Sequence, residues 1–332
     1  MKRSIAIAAG IVVVLAVALT VLDRSPLRSL LTFRQVDDYP LYVMHLYGDY
    51  HFDNWLETGT QADAAVPFGP RPTAERWACT CFSAFGQPGQ SILGRNIDWY
   101  THPTLLLFTH PRHGYDSVSM VDISYLDFDT DEPSWSDRLR LLDAPYWPFD
   151  GLNERGLAVG MMAVPSAQAG NDSGKVTIDS LAAIRLLLDK AQSVDEALSL
   201  LGKYNIDWAS GPPLHYLIAD ARGNSAVVEF VDGEMKVLRS ERPWQVATNF
   251  VLSGYSPERA RLQCDRYATA YETLEQAQGR LSQDEAMALL ADVSQPSTIW
   301  SVVYDMKSGQ IAVAMGHDYV QVHRFELGMK KE

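Results

Sequence analysis

The chain has 332 residues, 47% hydrophobic and 21% charged, with a formal net charge of −13. This composition builds a substantial globular core and sets intrinsic disorder aside. So acidic a balance excludes nucleic acid as a partner, because phosphate binding needs clustered Lys and Arg, and it disfavours strongly anionic substrates.

Met-Lys-Arg opens the chain, followed by an apolar run from Ser4 to Leu22 and a break at Asp23-Arg24-Ser25-Pro26. The 19 residues of the run are enough to span a bilayer as a helix, and Leu19-Thr-Val-Leu22 offers no small-x-small cleavage site. The expectation is a single-pass membrane anchor within residues 1–26. A cleaved signal peptide, and hence a secreted protein, is the alternative. Lys2 and Arg3 hold the N-terminus inside, so the rest of the chain is expected outside the cytoplasm. Residues 27–78 read as a linker in which the aromatic patch Asp38–Tyr50 wants burial. The stretch Gly59–Arg76, rich in Pro, Gly and Ala, reads as a loop leading to Cys79. Alternation on both sides of Gln87-Pro-Gly-Gln90 predicts an antiparallel hairpin within Cys79–Trp99. Thr104–Thr109 and Ser117–Ile123 have strand character. Asp127–Pro148, dense in Asp, Pro and Trp, is a long excursion expected to line or cover a cleft. Gly156–Val164 is a further strand and Ser180–Ala191 a helix, and the capping box Ser193-Val-Asp-Glu196 starts another helix through Leu201. Tyr216–Asp220 and Ala226–Val231 form a hairpin. One helix is expected from Pro257 to about Ala277 behind the N-cap Ser256. Ser282-Gln-Asp-Glu285 caps a further helix, and Ser301–Met315 closes with two strands around Lys307-Ser-Gly309. This order predicts two antiparallel sheets with helices on their outer faces.

Three cysteines, Cys79, Cys81 and Cys264, rule out a disulfide framework and leave at least one thiol free. The predicted hairpin brings Cys79 close to Arg95 and Asp98, which follow it by 16 and 19 residues. A thiol, a fixed cation and a carboxylate then share one end of a sheet. Taken alone, Cys79 reads more often as a buried structural cysteine, and the Arg95 and Asp98 offsets turn the reading toward catalysis. Metal binding by Cys79-Thr-Cys81 lacks a second ligand pair, and His110 and His113 sit in a Pro- and Gly-containing turn. No metal and no cofactor is expected. The aromatic residues of Tyr39–Tyr50 and Asp127–Pro148 point to an apolar pocket.

The Cys79-Thr80 start, the Gly94-Arg-Asn-Ile-Asp-Trp99 box, the motif Asp150-Gly-Leu-Asn-Glu-Arg-Gly-Leu157 and the later Thr248-Asn249 together resemble the cysteine N-terminal-nucleophile hydrolases. That group includes choloylglycine hydrolases, penicillin V acylases, acid ceramidase-like amidases and acyl-coenzyme A:isopenicillin N acyltransferase-like proteins. The resemblance implies an α+β fold, an αββα sandwich formed by residues 79–332. It implies self-cleavage at Ala78-Cys79, which makes residues 27–78 a pro-segment that either stays docked as a short chain or is lost. Cys79 would then be both nucleophile and, through its freed α-amino group, base. Arg95 would favour the thiolate, Asp98 would orient the α-ammonium group, and Asn249 would hold the oxyanion. The plainer alternatives are a surface ion pair between Arg95 and Asp98, and a strand-end turn at Asn249. Cys81 reads as a packing residue and Asn153 as a turn residue.

Two departures from the choloylglycine hydrolase pattern stand out. Ala163 occupies the place of an Asn, where its backbone N–H remains as a donor. Thr298 stands where a late active-site Arg is expected. Arg259, Arg261 and Arg266 on the preceding helix are candidates to replace that Arg, against an ordinary solvated helix face. The expected function is hydrolysis of linear N-acyl amides through a Cys79 thioester, by a membrane-anchored enzyme acting on a small-molecule substrate. Acyl transfer to an amine, and a non-catalytic anchored binding protein of the same fold, are the alternatives.

Overall fold

The computed structural model describes residues 25–59, 78–99, 102–128, 134–208 and 211–330. The expected anchor at 4–22 and most of the loop before Cys79 lie outside the described residues. No described helix is long and apolar enough to cross a membrane.

The hairpin predicted around Gln87–Gln90 forms as β3 (Ala78–Ala84) and β4 (Ile92–Asp98), paired with Cys79 opposite Ile97 and Cys81 opposite Arg95. It is the centre of a six-stranded antiparallel sheet. On one side lies β14 (Trp244–Ala247), and on the other β15 (Thr298–Asp305), β16 (Gln310–Met315) and β17 (His323–Glu326). A nine-stranded sheet faces it. Its spatial order is β1 (Arg34–Asp37), β2 (Leu41–Tyr47), β5 (Thr104–His110), β6 (Ser117–Asp122), β7 (Pro148–Asn153), β8 (Leu157–Ala163), β11 (Leu214–Asp220), β12 (Ser225–Val231) and β13 (Glu234–Arg239). Two short parallel strands, β9 (Thr177–Asp179) and β10 (Asn205–Asp207), stand apart. The helix Ser180–Lys190 packs on β7 and β8, the helices Asp265–Ala277 and Gln283–Asp292 pack on the smaller sheet, and β3 meets β8 between the sheets. Helices therefore cover the outer faces of two stacked sheets, as the chain order predicts. Gly160 marks a close approach of the layers, since a Cβ there would lie 2.9 Å from Cys81 Sγ.

Three expectations are corrected. The aromatic patch at 38–50 is buried as expected, but its centre is a strand, β2, which runs parallel to β5 inside the larger sheet. Leu41 and Met44 have no exposed surface, and a run apolar on both faces suits a strand covered on both sides. The larger sheet is therefore mixed, not wholly antiparallel. The single helix expected from Pro257 to Ala277 is two, Pro257–Ala260 and Asp265–Ala277. Cys264 is extended between them, at φ −156°, and the restart lets both Ala260 and Tyr267 bury against the sheet, so packing overrides a helical local propensity. Strands β1, β7, β9, β10, β13, β14 and β17 were not foreseen. The edge strands β13 and β17 carry Glu, Lys, Arg and His, which mask a strand in sequence.

Candidate active site

Alternation along β3 and β4 divides the site residues between the two faces of the smaller sheet. Cys79, Cys81, Ile97 and Arg95 share the face turned to the larger sheet, and Thr80, Asn96 and Asp98 share the face turned to the helices. On the inner face Arg95 is fully buried and its Nη1 lies 2.6 Å from Asp150 Oδ2, while also donating to the Phe149 carbonyl. Asp150 is held further by Tyr304 Oη at 2.6 Å and Trp300 Nε1 at 3.3 Å. Burial opposes the charge on Arg95, but the fields of Asp150, Cys79 and Cys81 outweigh it and keep it above the usual arginine range. Its Nε and Nη2 have no hydrogen-bond partner among the described residues, so the cation has donors to spare for a thiolate. Burial pushes the Cys81 thiol far up despite Arg95, which leaves Cys81 a packing group.

On the other face Asp98 stands opposite Ala78, the residue before Cys79. Its Oδ1 accepts from Thr298 Oγ1 at 2.5 Å, and its Oδ2 is buried without a hydrogen-bond donor. Desolvation is the main reason its pKa rises to about 7, against the pull of Thr298, Arg266 and Arg95. Thr298 thus serves Asp98, at the place where an Arg was looked for.

Asn249 follows β14 and reaches across to the backbone of Cys79. Its Oδ1 accepts the Cys79 N–H at 2.5 Å, and its Nδ2 donates to the Ala163 carbonyl at 2.9 Å. One N–H of the amide remains for a further acceptor. Arg266, in the first turn of the restarted helix, completes the group. It donates to the Cys79 carbonyl, to Thr80 Oγ1 at 3.0 Å and to Asn249 Oδ1 at 3.1 Å, and lies 3.9 Å from Asp98 Oδ2. The solvated helix face expected for this residue is corrected, because its side chain is only 13% exposed. Arg261 instead lies over the Tyr271 ring at 5.0 Å. The structure therefore brings Cys79, Asp98 and Asn249 together and sets Arg95 behind Cys79, and the Arg95–Asp98 ion pair does not form.

Sequence reasoning missed a second pair. His215 and Glu229 are both about 1% exposed and lie 3.4 Å apart across the β11–β12 hairpin. His215 Nε2 donates to the Thr248 carbonyl at 2.7 Å, and Glu229 accepts from Leu252 N at 2.5 Å and Ser253 N at 3.0 Å. Burial works to raise the Glu229 carboxyl, but the bonds from His215, Leu252 and Ser253 outweigh it and leave it below its ordinary value. Both ends of the segment carrying Asn249 are clamped in this way. The signal lay one residue outside the expected strand Tyr216–Asp220: extending that strand to Leu214 sets a His against a Glu, an unusual cross-strand pair for a core.

The model of the linear amide C–N hydrolases, choloylglycine hydrolase family, matches residues 79–254, just over half of the chain. The chain belongs to this family. As a choloylglycine hydrolase family member it is a hydrolase of carbon–nitrogen bonds in linear amides. Solved structures agree on the fold. A conjugated bile acid hydrolase from Clostridium perfringens aligns with a TM-score of 0.59 at 15% identity, over 76% of this chain and 93% of that one. A penicillin V acylase from Agrobacterium tumefaciens aligns with a TM-score of 0.55 at 21% identity, over 75% of this chain and 86% of that one. A search of curated proteins finds no match. Among the described residues no cluster of His, Cys, Asp and Glu could hold a metal ion.

The clamp carries a prediction. Glu229→Gln keeps the shape but loosens the grip on Leu252 and Ser253, and amidase turnover is expected to fall about 100-fold through displacement of Asn249. Steady-state kinetics with a thermal melt as control would show it. An unchanged kcat in a folded variant would reduce the pair to core packing.

Proposed function

We propose that this family member hydrolyses linear N-acyl amides through Cys79, freed as an N-terminal residue by its own attack on the preceding bond. The observation that carries the reading is the set of groups around the Cys79 nitrogen: Asn249 Oδ1 touches it, and Arg266 and Asp98 flank it. In maturation the Cys79 thiol attacks the Ala78 carbonyl carbon, the C–N bond breaks as the chain passes to sulfur, and water then splits the thioester. The released α-amino group stands between Asn249 and Asp98. In turnover it accepts the thiol proton as sulfur adds to the substrate carbonyl. Arg95 favours the thiolate, and the remaining N–H of Asn249 meets the oxyanion. The same proton passes to the departing amine, and water, relieved of a proton by the α-amino group, releases the acid.

Trp99 and Phe149 adjoin Asp98 and Asp150 in the chain, and with Trp147 they gather around Tyr125, whose ring centroid lies 6.3 Å from that of Trp99, 5.8 Å from Trp147 and 5.5 Å from Phe149. This cluster supports an apolar acyl half for the substrate. Residues 4–22 are proposed to anchor the enzyme with its catalytic part outside the cytoplasm. The test is a panel of N-acyl amides of graded acyl length given to the purified full chain, with free acid and free amine both measured. Release of the two in equal amounts supports hydrolysis. Acid missing in the presence of an added amine would assign acyl transfer, and no turnover by processed protein would sink the reading.

A further inference from the structure

Two short elements far from Cys79 in sequence leave large apolar side chains in solvent next to one another. Leu27 and Leu31, on and just after the helix Ser25–Leu30, are 56% and 68% exposed, and Trp135 and Leu139 are 55% and 58% exposed. These are four of only six large apolar residues at least 55% exposed among the described residues. The elements touch: the Arg138 guanidinium lies 4.8 Å from the Phe33 ring and 5.4 Å from the Trp135 ring. Their inner sides are well seated, with Leu30, Leu141 and Ala144 buried, so the exposure is not the result of loose packing.

Charge and connectivity indicate what covers this patch. Residues 24–36 hold Arg24, Arg28 and Arg34 and no acid, in a chain whose net charge is −13. Of the nearby acids, Asp137 is engaged by Arg140 at 3.3 Å. The apolar run ends at Leu22, three residues before Ser25. If that run sits in a bilayer, the patch is tethered to the lipid surface by a few residues and meets it at high effective concentration.

We propose that Leu27, Leu31, Trp135 and Leu139, with Arg28 and Arg34, form a second contact with an anionic lipid surface. Trp and Leu side chains enter the boundary between headgroups and acyl chains, and the arginines pair with lipid phosphates. The excursion that carries Trp135 and Leu139 leaves the sheet after Asp122 and rejoins it at Pro148, the strand ends next to Ala163 and Asn249. Seating the patch therefore fixes the Cys79 end of the sandwich relative to the bilayer, a consequence that rests on the proposed amidase site. The docking itself does not depend on that site.

The test uses the full chain in vesicles, with Cys264→Ser to remove the most accessible native thiol. An environment-sensitive dye is placed at Leu139→Cys or, on the opposite outer layer, at Leu262→Cys, a position 82% exposed in the wild type. In vesicles of phosphatidylcholine with phosphatidylglycerol, the dye at 139 is expected to shift to the blue and to lose access to a water-soluble quencher several-fold. The dye at 262 should be unchanged. Arg28→Glu with Arg34→Glu should reverse much of the protection, as should pure phosphatidylcholine. Equal quenching at both positions would overturn the proposal, and so would protection that requires no lipid and follows protein concentration, which would make the occupant a second copy of the chain.

Discussion

Purified protein is expected to run as two chains under denaturing conditions and as one particle under native conditions, the larger chain beginning at Cys79. Cys79→Ala is expected to stay a single chain and to lose amidase activity by about 10⁴-fold or more, since nucleophile and maturation are lost together. Retention of the N-terminal piece follows from its place in the fold. Strand β2 is hydrogen-bonded to β1 on one side and to β5 on the other. Leu30, Phe33, Leu41, Tyr42, Val43, Met44, Leu46, Tyr50, Phe52 and Leu56 are all buried. At about 2 kcal/mol for each buried side chain the apolar contribution is on the order of 20 kcal/mol. The cost of holding two chains together is roughly 4 to 15 kcal/mol, so association wins. Polar contacts add to it: Tyr50 Oη donates to Asp189 at 2.6 Å, Lys190 lies 2.8 Å from Asp53, and Asp37 lies 2.6 Å from His323. Intact mass, N-terminal sequencing and size exclusion decide the matter. A fragment that separates under native conditions would refute the retention argument, and cleavage that persists in Cys79→Ala would assign maturation to another protease.

What could be read from sequence is what is local. The Cys79–Trp99 hairpin announces itself through its turn and its alternation, and with it the proximity of Cys79, Arg95 and Asp98. Asn249 comes from the resemblance alone, through the motif Thr248-Asn249, and not from a local turn or alternation. Arg266 was seen only as one of three arginines on a helix. Its partners Cys79 and Thr80 lie more than 180 residues away, and its inward turn depends on a helix restart that local propensity opposes. The parallel pairing of β2 with β5 had no local signal at all, because parallel neighbours need a long connection and announce no turn. Asp150 was visible inside a motif, but its task of holding Arg95 appears only when the two sheets are stacked. The β11–β12 hairpin is legible from Tyr216 on, but its first strand begins at Leu214, so the expected strand stops short of His215 and the pair with Glu229 stays hidden.

The unprocessed chain should carry a measurable electrostatic fault at Asp98, and cleavage should repair it. The carboxyl is fully buried, one oxygen held by Thr298 and the other without a hydrogen-bond donor, with Arg266 no nearer than 3.9 Å. Desolvation lifts its pKa to about 7, against about 3.9 in an unfolded chain. A raised carboxyl favours the folded state while it is protonated. Its contribution is complete below about pH 4, is lost as pH rises to about 7, and stays lost above, with an upper bound of about 4 kcal/mol. Denaturant unfolding of Cys79→Ala is therefore expected to show stability falling across that window. Adding Asp98→Asn to Cys79→Ala should flatten the slope and make the protein more stable at pH 8. Processed wild type should also lack the slope, because the α-ammonium group of Cys79 supplies the missing cation and keeps Asp98 ionised. Asp98→Asn in the wild-type background should in turn cost activity, by roughly 100-fold or more, as the amine loses its orienting partner. Identical pH slopes in Cys79→Ala and in the double variant would show that Asp98 is ionised in the uncleaved chain. The argument that maturation satisfies this carboxylate would then fail, while the nucleophilic role of Cys79 would stand on its own test.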